Sequence, residues 1–458
     1  MGLAVEKKIM TIDSNREFDT VIVGLGNTGY ATACFLARQN IRFAVTDSRA
    51  KPPKLEIMQR TFPNIPLFLG GFDEELIMNV DELLISPGVS LSEPVIAKAI
   101  QSGVSVYGDI ELFCRNISAP VVAVTGSNGK STVTTLVADM AREDGMHVAK
   151  GGNIGTPALE LLAGTDPDIY VLELSSFQME TVSSLNAAAA VVLNISEDHM
   201  DRYVGISNYA LAKKRIYSGN GVMVINLDDP LVADMKINDR NTLCFTFNEP
   251  CENAYGTRIY KNKRWLVRGN EKLMPAEKLQ IKGDHNIVNA LAALALGEAI
   301  ELSREAMLNV LQRFSGLPHR CQWVTDINGV SWYNDSKGTN VGASCAAIKG
   351  LAGNRNIILI AGGEGKGANF SKLADIARGR LQSAILIGRD GPLIKSALQG
   401  VVPVYEAKNM DAAVTMAGSL ASVGDLVLLS PACASFDMFE NYQARGDAFS
   451  ESVKKLMS

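Results

Sequence analysis

Histidine is scarce in this sequence: there are only four, at positions 147, 199, 285 and 319. None combines with cysteine in a zinc-type spacing, which excludes a structural zinc module. The seven cysteines (34, 114, 244, 251, 321, 345 and 433) are odd in number and form no C-x-x-C. A disulfide-stapled fold is therefore excluded, and a reducing cytoplasm is expected. Long apolar runs are also missing. A run as long as any, Ala290–Leu296, falls far below the ~20 residues of a membrane span. The segment around Glu6, Lys7 and Lys8 has no apolar centre of a secretory signal. Positive charge is not in surplus: 44 Lys+Arg against 49 Asp+Glu give −5. No basic field exists for a nucleic-acid backbone. Low-complexity tracts and short-period repeats are absent.

Glycine, in contrast, is abundant. The 40 glycines make up about 9% of the chain against a usual ~7%. The 458 residues predict about three domains at roughly 150 residues each. Apolar strand-like runs alternate with helix-like stretches, the pattern of α/β domains with largely parallel sheets. Three strands run straight into glycine turns. Asp19–Val23 leads into Gly24-Leu-Gly-Asn-Thr-Gly29, Val121–Val124 into Thr125-Gly-Ser-Asn-Gly-Lys-Ser-Thr132, and Asn356–Ile360 into Ala361-Gly-Gly-Glu-Gly-Lys-Gly367. Breaks near Phe113–Pro120 and Ser315–His319 divide the chain into expected domains 1–112, 113–316 and 317–458.

Gly24, Gly26 and Gly29 fit G-x-G-x-x-G between a strand and a helix, and Asp47 follows the next strand-like run, Arg42–Thr46. Such a turn lets backbone approach a diphosphate at a helix N-terminus. Read alone it admits a nicotinamide dinucleotide, another nucleotide diphosphate, or a purely structural turn. The second turn, Gly126-x-x-Gly129-Lys130-Ser131-Thr132, is a shortened phosphate loop, because the eight-residue pattern would need glycine where Val124 stands. Its backbone N–H groups, Lys130 and the Ser131 hydroxyl suit phosphates and Mg²⁺. Strand Ile169–Leu172 ends at Glu173, an acid placed to hold that ion. ATP is expected here. No N-K-x-D motif supports a GTPase.

These residues carry a resemblance. Thr125–Thr132 resembles the phosphate loop of the Mur ligases, the ATP-dependent amino-acid-adding enzymes of peptidoglycan synthesis. Further segments resemble the D-glutamate-adding branch of that family: Gly108–Phe113, Gly151–Gly155, Leu172–Gln178, Glu197–Tyr203, Gly283–Asn289, Gly316–Arg320, Asn334–Asn340 and Ser430–Ser435. The match spans nearly the whole chain after a short N-terminal extension. It implies a Rossmann-like UDP-binding domain, a central P-loop ATPase-like domain and a C-terminal Rossmann-like domain. It also implies a cytoplasmic, monomeric enzyme that joins D-glutamate to UDP-N-acetylmuramoyl-L-alanine. The route would run through an acyl phosphate and a tetrahedral intermediate, with ADP and phosphate released.

The residue roles are what the resemblance implies. Asn27, Thr28, Asp47, Ser48, Arg49, Gly88 and Asn153 would meet the UDP substrate. Gly126, Ser127, Asn128, Gly129, Lys130, Ser131, Thr132 and Asn289 would bind ATP, joined by Arg320 and Asp335 on domain closure about a hinge near Ser315–His319. Ser131 and Glu173 would hold one Mg²⁺, and His199 with Lys213 a second, with Mn²⁺ able to substitute. Lys130, Glu173, His199 and Lys213 form the implied catalytic set. By spacing alone Lys213-Lys214-Arg215 reads as a solvated helix face. The family segment, aligned on Tyr209, Lys213, Arg215, Ile216 and Tyr217, instead selects Lys213 as a carbamylated metal ligand. Lys337, Thr339, Lys366, Ser435, Phe436 and Tyr442 would take D-glutamate. The chain departs from the family pattern at Asn27, Ser48 and Tyr442, where leucine, threonine and phenylalanine are usual. A dehydrogenase built on the first turn would leave the second turn and Glu173 without a role. A non-catalytic ATP-binding scaffold would leave His199, Lys337 and Lys366 without one.

Overall fold

Near-continuous Val/Ile/Leu runs, buried on both faces, are the mark of parallel strands covered by helices. Thr20–Val23, Val121–Thr125 and Ile357–Gly362 are such runs and are buried throughout. In the computed structural model, which describes residues 18–352 and 356–456, each occupies the interior of its own sheet. The first sheet is parallel, with strands ordered Leu67–Leu69, Phe43–Asp47, Thr20–Val23, Glu82–Ile85, Ser105–Gly108. Asp47 is thus the last residue of its strand rather than the first beyond it. The second sheet runs Glu271–Pro275, Lys263–Arg268, Ala254–Tyr260, Thr242–Phe245, Val222–Asn226, Ala189–Val192, Val121–Thr125, Ile169–Glu173, Val148–Gly152. It is parallel except for the antiparallel ribbon made by its first three members. The third runs Gln322–Ile327, Val330–Asn334, Leu426–Leu429, Ile357–Gly362, Leu381–Ile387, Val404–Glu406. Only its opening hairpin is antiparallel.

The strand orders fix where ligands can sit. In each sheet the chain leaves a central strand to one side and later crosses to the other. Two neighbouring strands then send their following turns apart and open a crevice at their carboxyl ends. The pairs are Thr20–Val23 with Glu82–Ile85, Val121–Thr125 with Ala189–Val192, and Ile357–Gly362 with Leu426–Leu429. The three glycine turns each follow one member of these pairs. The turns beginning at Ser86, Leu193 and Ser430 follow the other.

Contacts divide the chain into two compact units. One runs to Ile117 and takes in Gly155–Thr165 and Glu180–Leu185. The other holds the second and third sheets. Its central core packs helices Lys130–Glu143 and Asp284–Ala299 on the nine-stranded sheet. The six-stranded sheet is covered on both faces, by Val341–Ala352 and Ser371–Ala377 on one and by Met410–Leu420 and Tyr442–Lys455 on the other.

In the first unit, Glu111 on helix Asp109–Cys114 ties down the returning segment. Its carboxylate accepts from the backbone N–H groups of Ser183 (2.7 Å) and Ser184 (2.8 Å) and from Arg115 Nε (2.9 Å). Burial pushes this carboxyl up, but the three donors outweigh it and bring it from the ordinary 4.5 down to about 2. A carboxyl depressed on folding stabilises above its unfolded value and loses that contribution as pH falls toward the folded one. Thermal melts should therefore show Glu111→Gln destabilised by on the order of 2 kcal/mol at neutral pH, the difference shrinking between pH ~4.5 and ~2.

Candidate active site

The phosphate loop is shaped by two glycines that cannot be replaced without movement. Gly126 has φ +146° and Gly129 φ +86°. A Cβ on Gly129 would lie 2.4 Å from Asn289 Oδ1. Gly129 therefore both turns the chain into helix Lys130–Glu143 and lets Asn289 come close. The loop is braced from the next switch-point turn. The Asn194 side chain accepts from Asn128 N–H (2.9 Å) and donates to the Asn128 carbonyl (3.0 Å). Ser127 Oγ donates to the Ser196 carbonyl (3.0 Å) and accepts from Ser196 N–H (2.9 Å). Asn194 and Ser196 escaped the sequence reading, since only the pairing of Val121–Thr125 with Ala189–Val192 brings them there.

The charged groups converge on this loop. Lys130 Nζ donates to the carbonyls of Gly126 (2.9 Å) and Ser127 (3.0 Å), and burial lowers its pKa. Glu173, 1% exposed, accepts Asn153 Nδ2 on Oε1 at 2.7 Å. Its Oε2 is buried with no hydrogen-bond partner. Burial pushes the Glu173 carboxyl up, yet Lys337 and Lys130 reverse this and hold it below the usual range. Asn153, expected at the UDP substrate, thus spends its amide on the acid. Ser131 Oγ accepts from Arg320 Nη2 and Lys337 Nζ, both at 3.0 Å, and the Arg320 Nε is buried without a partner. Asp335 accepts Cys321 N–H (3.1 Å) and Ser430 Oγ (2.7 Å), and burial raises its carboxyl to about 6.

Lys213 is not a surface lysine. It is 1% exposed, with Nζ 3.0 Å from the Gly126 carbonyl, 3.4 Å from Thr125 Oγ1 and 4.5 Å above the Tyr209 ring. None of these partners is a carboxylate, and burial followed by Lys130 drives its pKa well below the ordinary lysine value. Burial thus disfavours the charged form of this amine. His199 (φ +57°) packs on Phe177, ring centroids 4.7 Å apart. Burial takes its pKa to about 4 despite Asp198, which leaves a neutral imidazole. Among the described residues no three His, Cys, Asp or Glu side chains converge. The buried Glu173 Oε2 without a partner is a carboxylate oxygen of the kind Mg²⁺ takes, with its other positions left to phosphates and water.

The lysines of the third sheet reach the same place. Lys337 lies between Ser131 and Tyr442, whose hydroxyl is 3.1 Å from Nζ. Lys366 (φ +53°), in the third glycine turn, pairs with Asp198 Oδ1 at 2.5 Å. Asn340 Nδ2 donates to Asp198 Oδ2 (3.1 Å) and to Asn128 Oδ1 (3.2 Å). Asp198 and Asn340 thus join this cluster, and the sequence assigned neither a role although both lie inside the family-like segments. Thr339 follows Lys337 in the same turn and donates its N–H to the Lys337 carbonyl. Ser435 is 2% exposed. Phe436, expected at the D-glutamate site, is 71% exposed, as the chain turns at Ser435, whose carbonyl accepts from Met438 and Phe439 N–H. The ring over the lysine belongs to Tyr442. Arg445, 1% exposed with no acid partner, donates to the carbonyls of Ser336, Cys433 and Ala434 and to Ser336 Oγ. It clamps the two turns that carry Lys337 and Ser435. Beside the loop opens a cavity of about 250 Å³ lined by Thr132, Asn289, Ile281, Leu317, Arg320 and Asp335, among others.

In the first unit, Asp47 (2% exposed) accepts Leu25 N–H (2.7 Å), Arg49 N–H (2.9 Å) and a two-pronged Arg49 guanidinium (2.8 and 2.7 Å). Asn27 and Thr28 open the helix Asn27–Arg38, and Ser48 follows the strand end. Gly88 follows the neighbouring strand Glu82–Ile85, and nothing lies within 4 Å of a Cβ built on it.

The three doubly wound sheets and the braced phosphate loop define an α/β nucleotide-binding protein of the P-loop class. Residues 18–108 match the model of the Mur ligase MurD-like N-terminal domain, 124–297 the Mur ligase middle domain and 319–433 the Mur ligase glutamate ligase domain. The chain belongs to the Mur ligase family of ATP-dependent ligases. It is 53% identical over 439 residues to the UDP-N-acetylmuramoylalanine--D-glutamate ligase of Nitrosococcus oceani, covering 96% of this chain and 97% of that one. It is 49% identical to the enzyme of the same name from Methylococcus capsulatus, covering 95% and 94%. In fold it is similar to UDP-N-acetylmuramate-alanine ligase MurC from Thermotoga maritima, with TM-score 0.63 at 17% identity over 96% of this chain and 100% of that one.

Proposed function

We propose that this chain is the ligase that joins D-glutamate to UDP-N-acetylmuramoyl-L-alanine at the expense of ATP. The observation that carries the reading is the identity of about half the residues with D-glutamate ligases along nearly their whole length. The convergence of Lys130, Ser131, Glu173, Lys337 and Lys366 on one loop supports it. In this reading the domains are 1–112 for the UDP substrate, 113–316 for ATP and 317–458 for the amino acid. The chain works as a monomer in the cytoplasm.

Attack of the alanyl carboxylate on the γ-phosphate and then of the D-glutamate amine on the acyl phosphate brings anions together, so catalysis is mostly electrostatic. Lys130 swings from its own loop carbonyls to the β/γ-phosphates. The loop N–H groups from Gly126 to Thr132 cradle the phosphates, while Asn289, Arg320 and Asp335 line the nucleotide. Mg²⁺, when bound, supplies charge neutralisation for the phosphates, and Mn²⁺ substitutes. The buried, unpartnered Glu173 Oε2 beside Ser131 supports one ion position. The neutral imidazole of His199 and a carbamate on Lys213 would form the other. In its neutral form the Lys213 amine adds to CO₂ through its lone pair and loses one proton, which would turn it into a carboxylate-like ligand. Lys337, Thr339, Lys366 and Ser435 hold the two carboxylates of D-glutamate. Asn27, Thr28, Asp47, Ser48, Arg49 and Gly88 hold the UDP moiety.

The test is co-substrate dependence. Phosphate release should need ATP, Mg²⁺, UDP-N-acetylmuramoyl-L-alanine and D-glutamate together. Hydrolysis indifferent to D-glutamate, or a preference for L-alanine as the added amino acid, would sink the reading.

A further inference from the structure

The Ser131 hydroxyl oxygen has two lone pairs, and both are taken. Arg320 Nη2 and Lys337 Nζ each donate to it from 3.0 Å. A hydroxyl can accept no more than this, so any ligand that needs an electron pair of Ser131 must displace one of the two cations. They differ in what else holds them. Lys337 Nζ has a second acceptor, the Tyr442 hydroxyl at 3.1 Å, and stands 4.7 Å over the centroid of the same ring. A phenol thus offers this ammonium an oxygen and a π face together.

Tyr442 is itself well anchored. It is the first residue of helix Tyr442–Lys455, whose N-cap Asn441 accepts from Ala444 N–H at 2.8 Å. Its carbonyl accepts Ser336 Oγ at 2.8 Å. Ser336 immediately precedes Lys337, so one contact fixes the spacing between the two turns. Lys337 N–H in turn donates to the His319 carbonyl at 3.0 Å. The backbone of both partners is therefore fixed, and only the lysine side chain is free to change acceptor.

We propose that Tyr442 is a positioning residue: its phenol oxygen and ring face retain the Lys337 ammonium beside the phosphate loop once Ser131 is engaged, and aim it at the carboxylate of the incoming amino acid. This deepens the reading of the third-sheet site as the D-glutamate site and rests on it. Tyr442 acts through Lys337, not on the reacting atoms.

Steady-state kinetics on the intact enzyme, varying each substrate in turn, give the test. Tyr442→Phe keeps the ring and removes the oxygen. It should raise KM for D-glutamate about fivefold, the size of one ordinary hydrogen bond, with a smaller change in kcat and none in KM for ATP or the UDP substrate. Tyr442→Leu also removes the ring face and should raise that KM further. Should Tyr442→Leu fail to fold, Tyr442→Phe alone decides. An unchanged KM for D-glutamate in Tyr442→Phe, or an equal rise in all three KM values, overturns the proposal. Lys337→Met tells the two levels apart. If it raises KM for D-glutamate while Tyr442→Phe does not, the tyrosine role falls and the site reading stands. If Lys337→Met leaves that KM unchanged, the site reading falls with it.

Discussion

Lys213→Ala is expected to cut ligation by about 10³-fold, and millimolar formate or acetate should restore a measurable part of it. The expectation follows from burial without a counter-charge. Lys213 Nζ meets a backbone carbonyl, a threonine hydroxyl and a tyrosine ring, and after desolvation the cation Lys130 acts on it more strongly than the carboxylates of Asp198 and Glu173. A protonated lysine would be costly at such a place. Burial favours the neutral amine, the form whose lone pair takes up CO₂. Alanine leaves a void next to the phosphate loop large enough for a small carboxylic acid, which would put back the oxygens of a carbamate. The alanine variant should be destabilised by about 2–5 kcal/mol, the cost of such a void, so it is assayed at a temperature where its melt shows it folded. A folded variant whose lost activity no carboxylic acid restores would refute the carbamate.

The second large effect separates two glycines of the same turn. A Cβ on Gly29 would stand 1.9 Å from the Gly24 carbonyl oxygen and 3.2 Å from Ser86 Oγ. Neither can yield easily, since Gly24 is held at φ +96° with its N–H on the Thr46 carbonyl (2.8 Å) and its own carbonyl accepting Ser86 Oγ (2.9 Å). Gly29→Ala should therefore destabilise the first unit by about 3 kcal/mol or more, read as a lowered melting temperature. Gly26 is the opposite case. It has φ −95°, which any residue adopts, and nothing lies within 4 Å of a Cβ built on it. Nothing inside the protein asks for glycine there, whereas a diphosphate lying against the backbone would. Gly26→Ala should melt like the parent and raise KM for the UDP substrate by about tenfold, the cost of one good contact. An unchanged KM would remove the diphosphate from this turn.

Much of this was readable along the chain because its causes are local. Strand followed by glycine turn followed by helix is a short-range pattern, and Thr125–Thr132 states its chemistry within eight residues. Glu173 could be singled out because a strand ends on it. Lys213 could not be read from its own neighbourhood. A Lys-Lys-Arg run looks solvated, and only the fold shows the first lysine 1% exposed and the next one partly open. The exposure of Phe436 was likewise not legible, since it is the turn at Ser435 that carries the ring into solvent.

By itself, then, the sequence determined the α/β class, the three glycine turns and the chemistry of the phosphate loop, since these depend on neighbours a few residues apart. What tertiary structure decided is which turns face each other. Pairings such as Val23 with Ile85, Val124 with Val191 and Ile360 with Leu429 join positions more than sixty residues apart and create the crevices. They bring Asn194 to Asn128, Asp198 to Lys366 and Tyr442 to Lys337. Burial among these groups then lowers the pKa of Lys213 and His199, because desolvation depends on everything packed around a group.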